Sequence, residues 1–529
     1  MPEWLEKAVF YEIYPQSFFD SNNDGIGDIP GIIEKLDYIK GLGCNALWLN
    51  PCFDSPFKDA GYDVRDYKKV AERYGSNQDL IRLFSQAHKK GMHVILDLVP
   101  GHTSEEHPWF LESKKINPSD EFKNRYIWTD GWFFWGIEGL KFIAGEAERD
   151  GCYIINFFKS QPALNYGFLN PKEKWQLLPD HPDCIATREA LKDVMRFWLD
   201  QGCDGFRVDM ADSLVKFDDE QKSATSAVWR NIRGMLDAEY PEAVIISEWS
   251  SPPMSLGAGF HADFLLDHER GGYRSLVRDY EDGEDNSYFK KNGNGNINRF
   301  LDQYMPWYEA TKNSGLISFI SGNHDTPRIS FGLDSRETSL AFGMFFTMPG
   351  LPFLYYGDEI GMRYLKSLAT KEGGYTRTGS RTPMQWTSGN NMGFSAAPMD
   401  RLYLPLDTDP SAPNVEVQEK DSSSLLSTVK ALLKLRNSEQ DLGSKPNLEI
   451  LHAPKPDSFT EKPGQVLDRS FIYKRGSCII AINPSADAAK VSIALNDEPE
   501  LLYSMGNCAY EDGFFKLDSQ SFGVWKFSS

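Results

Sequence analysis

Short apolar runs alternate along most of this chain with longer stretches whose apolar residues recur at helical spacing, and this rhythm limits the fold more than any other feature. The strand-like runs are Val9 to Tyr14, Ala46 to Leu49, His93 to Val99, Gly205 to Val208, Val244 to Ser247, Ile317 to Ile320 and Phe353 to Tyr356. A further run, Ala262 to Leu266, brings the count to eight. Between them lie amphipathic segments such as Ile32 to Lys40, Gln78 to Lys90, Arg188 to Leu199, Ala227 to Leu236 and Ser335 to Thr347. Repeated βα units build a parallel sheet, and eight of them predict an α/β chain folded as a (β/α)8 TIM barrel. The segment from Thr103 to Gly167 interrupts the rhythm after the third strand with Trp, Phe and Gly in no clean period. It reads as an inserted subdomain over 103–167, which leaves 1–102 and 168–442 for the barrel. Leu425 to Arg436 supplies a closing helix. Beyond Gly443 the runs become short and alternating (Ser470 to Tyr473, Cys478 to Asn483, Lys490 to Leu495, Gly523 to Phe527), which predicts a C-terminal antiparallel β-sandwich over 443–529.

Three of the strand-like runs end in acids. Gly205-Phe206-Arg207-Val208-Asp209, Ser247-Glu248-Trp249 and Asn323-His324-Asp325 each place a carboxylate at or just past the C-terminal end of a run. Active sites of such barrels form at that end. Carboxylates gathered there, one with an Arg two residues upstream and one beside a His, suit glycosidic bond cleavage, which needs one ionised and one protonated acid close together.

Composition excludes several other classes of function. Lys+Arg 56 against Asp+Glu 76 leaves a net charge of −20 with no basic stripe, so a nucleic-acid partner is not expected. The longest apolar stretch, Phe342 to Tyr356, is interrupted by Pro349, Gly350 and Pro352 and is shorter than a membrane span. Met1 to Lys7 lacks a basic region followed by an apolar one, so a cytoplasmic location is expected. The seven Cys (44, 52, 152, 184, 203, 478, 508) are odd in number and contain no C-x-x-C, which fits buried thiols better than a disulfide frame.

Four ordered segments carry a resemblance to a known family. They are Asp97-Leu98-Val99-Pro100-Gly101-His102-Thr103, Gly205 to Asp209, Ser247-Glu248-Trp249 and Gly322-Asn323-His324-Asp325. Together they resemble the α-amylase superfamily, glycoside hydrolase family 13. Arg381-Thr382-Pro383-Met384-Gln385-Trp386 and Pro352 to Glu359 resemble its oligo-1,6-glucosidase, α-glucosidase and trehalose synthase branch. The resemblance implies Asp209 as nucleophile, kept ionised by Arg207. It implies Glu248 as acid/base with a raised pKa, and Asp325 as stabiliser of the transition state. His102 and His324 would donate to the same sugar. Asp59 in Asp59-Ala60-Gly61-Tyr62-Asp63 would bind the terminal sugar with Arg377 as its partner, Tyr62 would stack beneath that sugar, and Gln161 would lie near the site. An Asp and an Arg on one sugar's outer hydroxyls would close the site to a pocket and favour removal of single terminal residues.

Asp20-Ser21-Asn22-Asn23-Asp24-Gly25-Ile26-Gly27-Asp28 has oxygen donors at alternating positions, the opening of a calcium loop, although the twelfth position is Gly31 where an EF-hand has Glu. The resemblance implies structural Ca²⁺ held by Asp20, Asn22, Asp24, the Ile26 carbonyl and Asp28. The other reading is an Asp-rich turn in which Asp28 caps the helix begun by Pro30. Three positions depart from the family. Gly101 stands where an Asn helps many amylases bind a calcium between barrel and insertion, Ala163 where an acid is common in the branch, and Met210 where a smaller or β-branched residue often follows the nucleophile. The expectation is a retaining, exo-acting α-glucosidase acting on short α-glucosides without an organic cofactor. The rivals are a glucosyl-transferring or isomerising enzyme of trehalose synthase type, and a non-catalytic binding homologue.

Overall fold

The computed structural model describes residues 1–529 apart from 134–135, 267–270, 281–282, 456–467, 496 and 528–529. Eight parallel strands close into a barrel: β1 (Phe10–Ile13), β2 (Ala46–Leu49), β3 (His93–Leu98), β4 (Gly205–Val208), β5 (Val244–Ser247), β6 (Ala262–Phe264), β7 (Leu316–Ile320) and β8 (Leu351–Tyr355). Each pairs with its sequence neighbour, and β1 closes on β8 with Phe10 opposite Phe353. Nearly every strand residue is buried because helices cover the outer face and side chains fill the inside, so the strands read as continuous apolar runs.

Helix boundaries follow capping chemistry. Ser76 and Asp79 form a reciprocal capping box that starts helix Asn77–Lys89, and Asp334 with Glu337 does the same for helix Ser335–Thr347. The expected helix over Ile32 to Lys40 is two short ones, Ile29–Glu34 and Leu36–Leu42. Among the described residues no helix is long and apolar enough to cross a membrane. All seven cysteines are free, and six are buried.

The segment after β3 carries a two-stranded sheet, Lys141–Ile143 with Tyr153–Ile155, beside an aromatic cluster of Phe110, Tyr126, Trp128 and Tyr153. Beyond the closing helix Leu425–Ser438, two antiparallel sheets follow. One orders Leu448–His452, Phe471–Arg475, Cys478–Asn483, Ser521–Lys526 and Glu500–Met505, and the other Ala489–Ser492, Phe514–Leu517 and Cys508–Glu511. Ile472, Ile479, Val491, Phe515 and Trp525 form the core between them. Helix Ser335–Thr347 is buried from Glu337 onward because this unit covers its outer side, with Phe522 against Gly343. Arg475 donates to the Thr347 carbonyl and the Asn447 side-chain oxygen and Arg436 to the carbonyls of Phe346 and Gly350, so two buried cations are satisfied by neutral oxygens, with no carboxylate paired to them among the described residues.

Candidate active site

The buried guanidinium of Arg207, on β4, organises the acids at the C-terminal end of the barrel. Its Nη1 lies 2.8 Å from Asp97 Oδ1 and 3.1 Å from Asp209 Oδ1, and its Nη2 2.7 Å from Glu248 Oε1. The pairing predicted between Arg207 and Asp209 is therefore shared with Glu248 and with Asp97, a strand residue. Burial first, and the Glu248 carboxylate second, push the Asp209 carboxyl well up, and Arg207 opposes them.

Backbone geometry presents the two acids. Met210 takes the left-handed conformation (φ 42°, ψ 47°), which turns the chain sharply after Asp209, and its N–H donates to Glu248 Oε2 at 3.0 Å. The Glu248 loop is clamped from β6. The buried Asp263 accepts from Ser247 Oγ at 2.7 Å and from the backbone N–H groups of Trp249, Ser250 and Ser251 at 3.1, 3.3 and 2.8 Å. Burial nevertheless pushes its carboxyl up to about 7.

Asp325 follows β7. Arg377 and Arg381 each place a nitrogen 2.9 Å from its Oδ1. Burial would raise this acid, but the His324 ring, its Nε2 3.3 Å from Oδ2, and the two guanidinia on Oδ1 outweigh it and hold the carboxyl well below its usual range. Arg377 also reaches Asp59 Oδ1 at 3.3 Å, so it bridges Asp59 and Asp325 across one end of the cavity. Gln161 Nε2 donates to the other Asp59 oxygen at 2.8 Å and is itself fully buried.

The cavity has a volume of about 330 Å³ and is walled by Asp59, Tyr62, His102, Asp209, Glu248 and Asp325, with Arg377, Phe157, Met210, Asp212, Trp249 and Leu266 around them. That is near the lower end for a small-molecule site. Arg207, Gln161 and His324 stand behind this wall. His324 is stacked on Tyr62 at 5.2 Å, and its Nε2 lies 2.7 Å from the Tyr62 hydroxyl while its Nδ1 meets Asn50 and Glu12. Burial lowers its pKa to about 3, so it is neutral. His102 is neutral too, lowered to about 4 by burial, and both its ring nitrogens have protein partners, the Tyr62 carbonyl and the Asn156 amide. Asn156 occupies the space beside Gly101, where an added Cβ would lie 2.7 Å from its Nδ2.

Sequence reasoning did not single out Glu12, Asn50, Asn156, Phe157 or Asp212, which come from β1, β2, the insertion and the β4 loop. Glu12 on β1 and Asn50 just past β2, polar residues where apolar runs meet the barrel mouth, were a readable signal. Phe157 had none.

In the loop from Asp20 to Asp28 the donors fold back on the backbone. Asp20 accepts from the N–H groups of Asn23 and Gly25, Asp24 from that of Ile26, and Asp28 from Gly31 as the helix cap. Asp20 and Asp28 are buried, and among the described residues no Lys or Arg ion-pairs with them. Asp20 also accepts from Ser395 Oγ and Asp28 from Ser21 Oγ, contacts a cation would have to displace, while the oxygen-only, net-negative donor set is of the kind a hard cation takes.

Residues 12–444 match the family model described as alpha amylase, catalytic domain. The trehalose synthase/amylase TreS of Mycolicibacterium smegmatis is 34% identical over 82% of this chain and 76% of its own. The glucan 1,6-alpha-glucosidase of Streptococcus pneumoniae is 31% identical over 89% and 90%. A solved α-glucosyl transfer enzyme superposes with a TM-score of 0.79 at 27% identity over 99% of both chains. With its closed barrel, the acids at the strand ends and these relatives, the chain belongs to the α-amylase family of glycoside hydrolases.

Proposed function

We propose that this protein is a retaining, exo-acting α-glucosidase that releases glucose from short α-glucosides. The observation that carries this reading is the Asp59–Arg377–Asp325 bridge across one end of a small cavity whose other wall holds Asp209 and Glu248. In this mechanism Asp209 attacks the anomeric carbon as Glu248 protonates the departing oxygen. Glu248, now ionised, then draws a proton from the water that releases the sugar. Five carboxylates (Asp59, Asp97, Asp209, Glu248, Asp325) face three guanidinia (Arg207, Arg377, Arg381), an excess of negative charge suited to an oxocarbenium-like transition state. Trehalose synthase activity is the second reading, favoured by the TreS relative. It uses the same intermediate and excludes water from it. Product analysis on p-nitrophenyl α-glucoside, maltose, isomaltose, sucrose and trehalose separates the two: free glucose from the first three supports hydrolysis, and a rearranged disaccharide from maltose overturns it.

Retention is expected because Asp209 and Glu248 share the Arg207 guanidinium, which gathers the two acids at one site as a covalent double displacement requires. NMR of the first-formed glucose should show the α anomer, and an initial β anomer would disprove a covalent route.

Ca²⁺ at Asp20, Asn22, Asp24, Ile26 and Asp28 completes this reading as a structural ion supplying no chemistry to the sugar. The buried Asp20 and Asp28, which among the described residues no Lys or Arg neutralises, support it. Chelation should lower Tm while leaving kcat little changed at temperatures where the protein stays folded, and calcium should restore Tm. A Tm indifferent to both would remove the ion from the account. The free thiols suit a reducing compartment, and we place the enzyme in the cytoplasm.

A further inference from the structure

The end of the barrel opposite the cavity holds a cluster that sugar chemistry does not use. His88 lies in the last turn of helix Asn77–Lys89, His93 opens β3, and Asp204 directly precedes β4. A potential ligand atom of each lies within 4.8 Å of those of the other two, and among the described residues no other three His, Cys, Asp or Glu side chains converge in this way.

The frame is rigid. Asp204 donates its backbone N–H to Val94 at 2.9 Å and accepts from Val244 at 3.0 Å, so it is fixed between two strands. Its carboxylate spans both rings, with Oδ2 at 2.8 Å from His88 Nε2 and Oδ1 at 3.0 Å from His93 Nδ1, and Oδ2 also accepts the Val94 N–H at 2.7 Å. The Trp4 indole lies flat against His93 at 4.1 Å and 14°, and its own N–H is held by the Glu242 carbonyl at 3.0 Å. The His93 ring is therefore held by Trp4 on one face and by Asp204 at Nδ1.

Two imidazoles and a carboxylate on such a frame match the donors of a borderline divalent ion, whereas calcium and magnesium prefer oxygen alone. The His88 side chain is 40% exposed, which leaves solvent access for a water as a further ligand. We propose that His88, His93 and Asp204 bind a zinc-class divalent ion as a structural site at the base of the barrel. On binding, each imidazole offers a neutral nitrogen, any proton on that nitrogen leaves to solvent, and the carboxylate exchanges its contacts to the rings for one to the metal. The ion ties helix Asn77–Lys89 to β3 and β4 and, through His93 and Trp4, to the N-terminal turn. Its effect falls on stability, as expected at this face of a barrel.

The test is a calorimetric titration of Zn²⁺ into the chelator-treated full chain, in a non-coordinating buffer with excess Ca²⁺ to fill oxygen-only sites. Wild type should take up one ion per chain and show a zinc-dependent rise in Tm. His88→Gln, which alters a ring at the surface and spares the core, should weaken binding by about ten-fold or more and remove the rise in Tm. His93→Gln should do the same. Lack of stoichiometric uptake by wild type, or uptake that persists undiminished in His88→Gln, overturns the proposal.

Discussion

Replacing Asp209 by Asn should reduce kcat by roughly 10⁴-fold or more, because the covalent step loses its nucleophile. The change keeps shape and volume, and an amide oxygen can still accept from Arg207, now 3.1 Å from Asp209 Oδ1. The fold should therefore survive, and an unchanged Tm separates lost chemistry from lost structure. Removing one negative charge from a guanidinium that also serves Glu248 and Asp97 should leave those two acids better compensated. Substrate binding, measured as Kd by calorimetry, should then change far less than kcat. Steady-state rates on p-nitrophenyl α-glucoside give the decisive number. Retention of a tenth of wild-type activity would move the nucleophile elsewhere.

What the sequence revealed was what is local. Each acid at a strand end sits within a few residues of its own apolar run, so Asp209, Glu248 and Asp325 could be placed before any contact was known. Strand β6 is only three residues long, Ala262–Phe264, and was readable mainly because seven others demanded it. Cys478–Asn483 could be read to the residue because it is buried on both faces. Glu500–Met505 and Cys508–Glu511 are half solvated, so their pattern did not stand out. Long-range sharing was not readable at all. Nothing in Gly205 to Asp209 says that Arg207 serves Glu248 as well, and nothing near Asp325 says that His324 also meets Tyr62, Asn50 and Glu12. The same holds for Asn156, which comes from the insertion to fill the space a glycine leaves at 101. Such facts depend on which distant elements the closed barrel brings together.

The Asp59–Arg377 pair should decide whether the enzyme works from chain ends. Asp59 is buried, with one oxygen on Gln161 and the other 3.3 Å from Arg377, whose second nitrogen holds Asp325. A terminal sugar reaching this wall meets a charged fork in place of open solvent, so no further residue fits beyond it. Asp59→Ala removes the fork and leaves Gln161 and one arm of Arg377 without their partner, at a cost of about 2–4 kcal/mol in transition-state binding, or roughly 30- to 1,000-fold in kcat/KM. Arg377→Ala should cost as much, since it also frees one side of Asp325. The double mutant should lose less than the sum, because both side chains act on the same hydroxyls. Wild type should release glucose from maltoheptaose from the first time point and leave long starch almost untouched. Early maltose and maltotriose, or a rapid fall in starch viscosity, would mean that chains pass this wall, and the bridge would then be a movable gate in an open cleft.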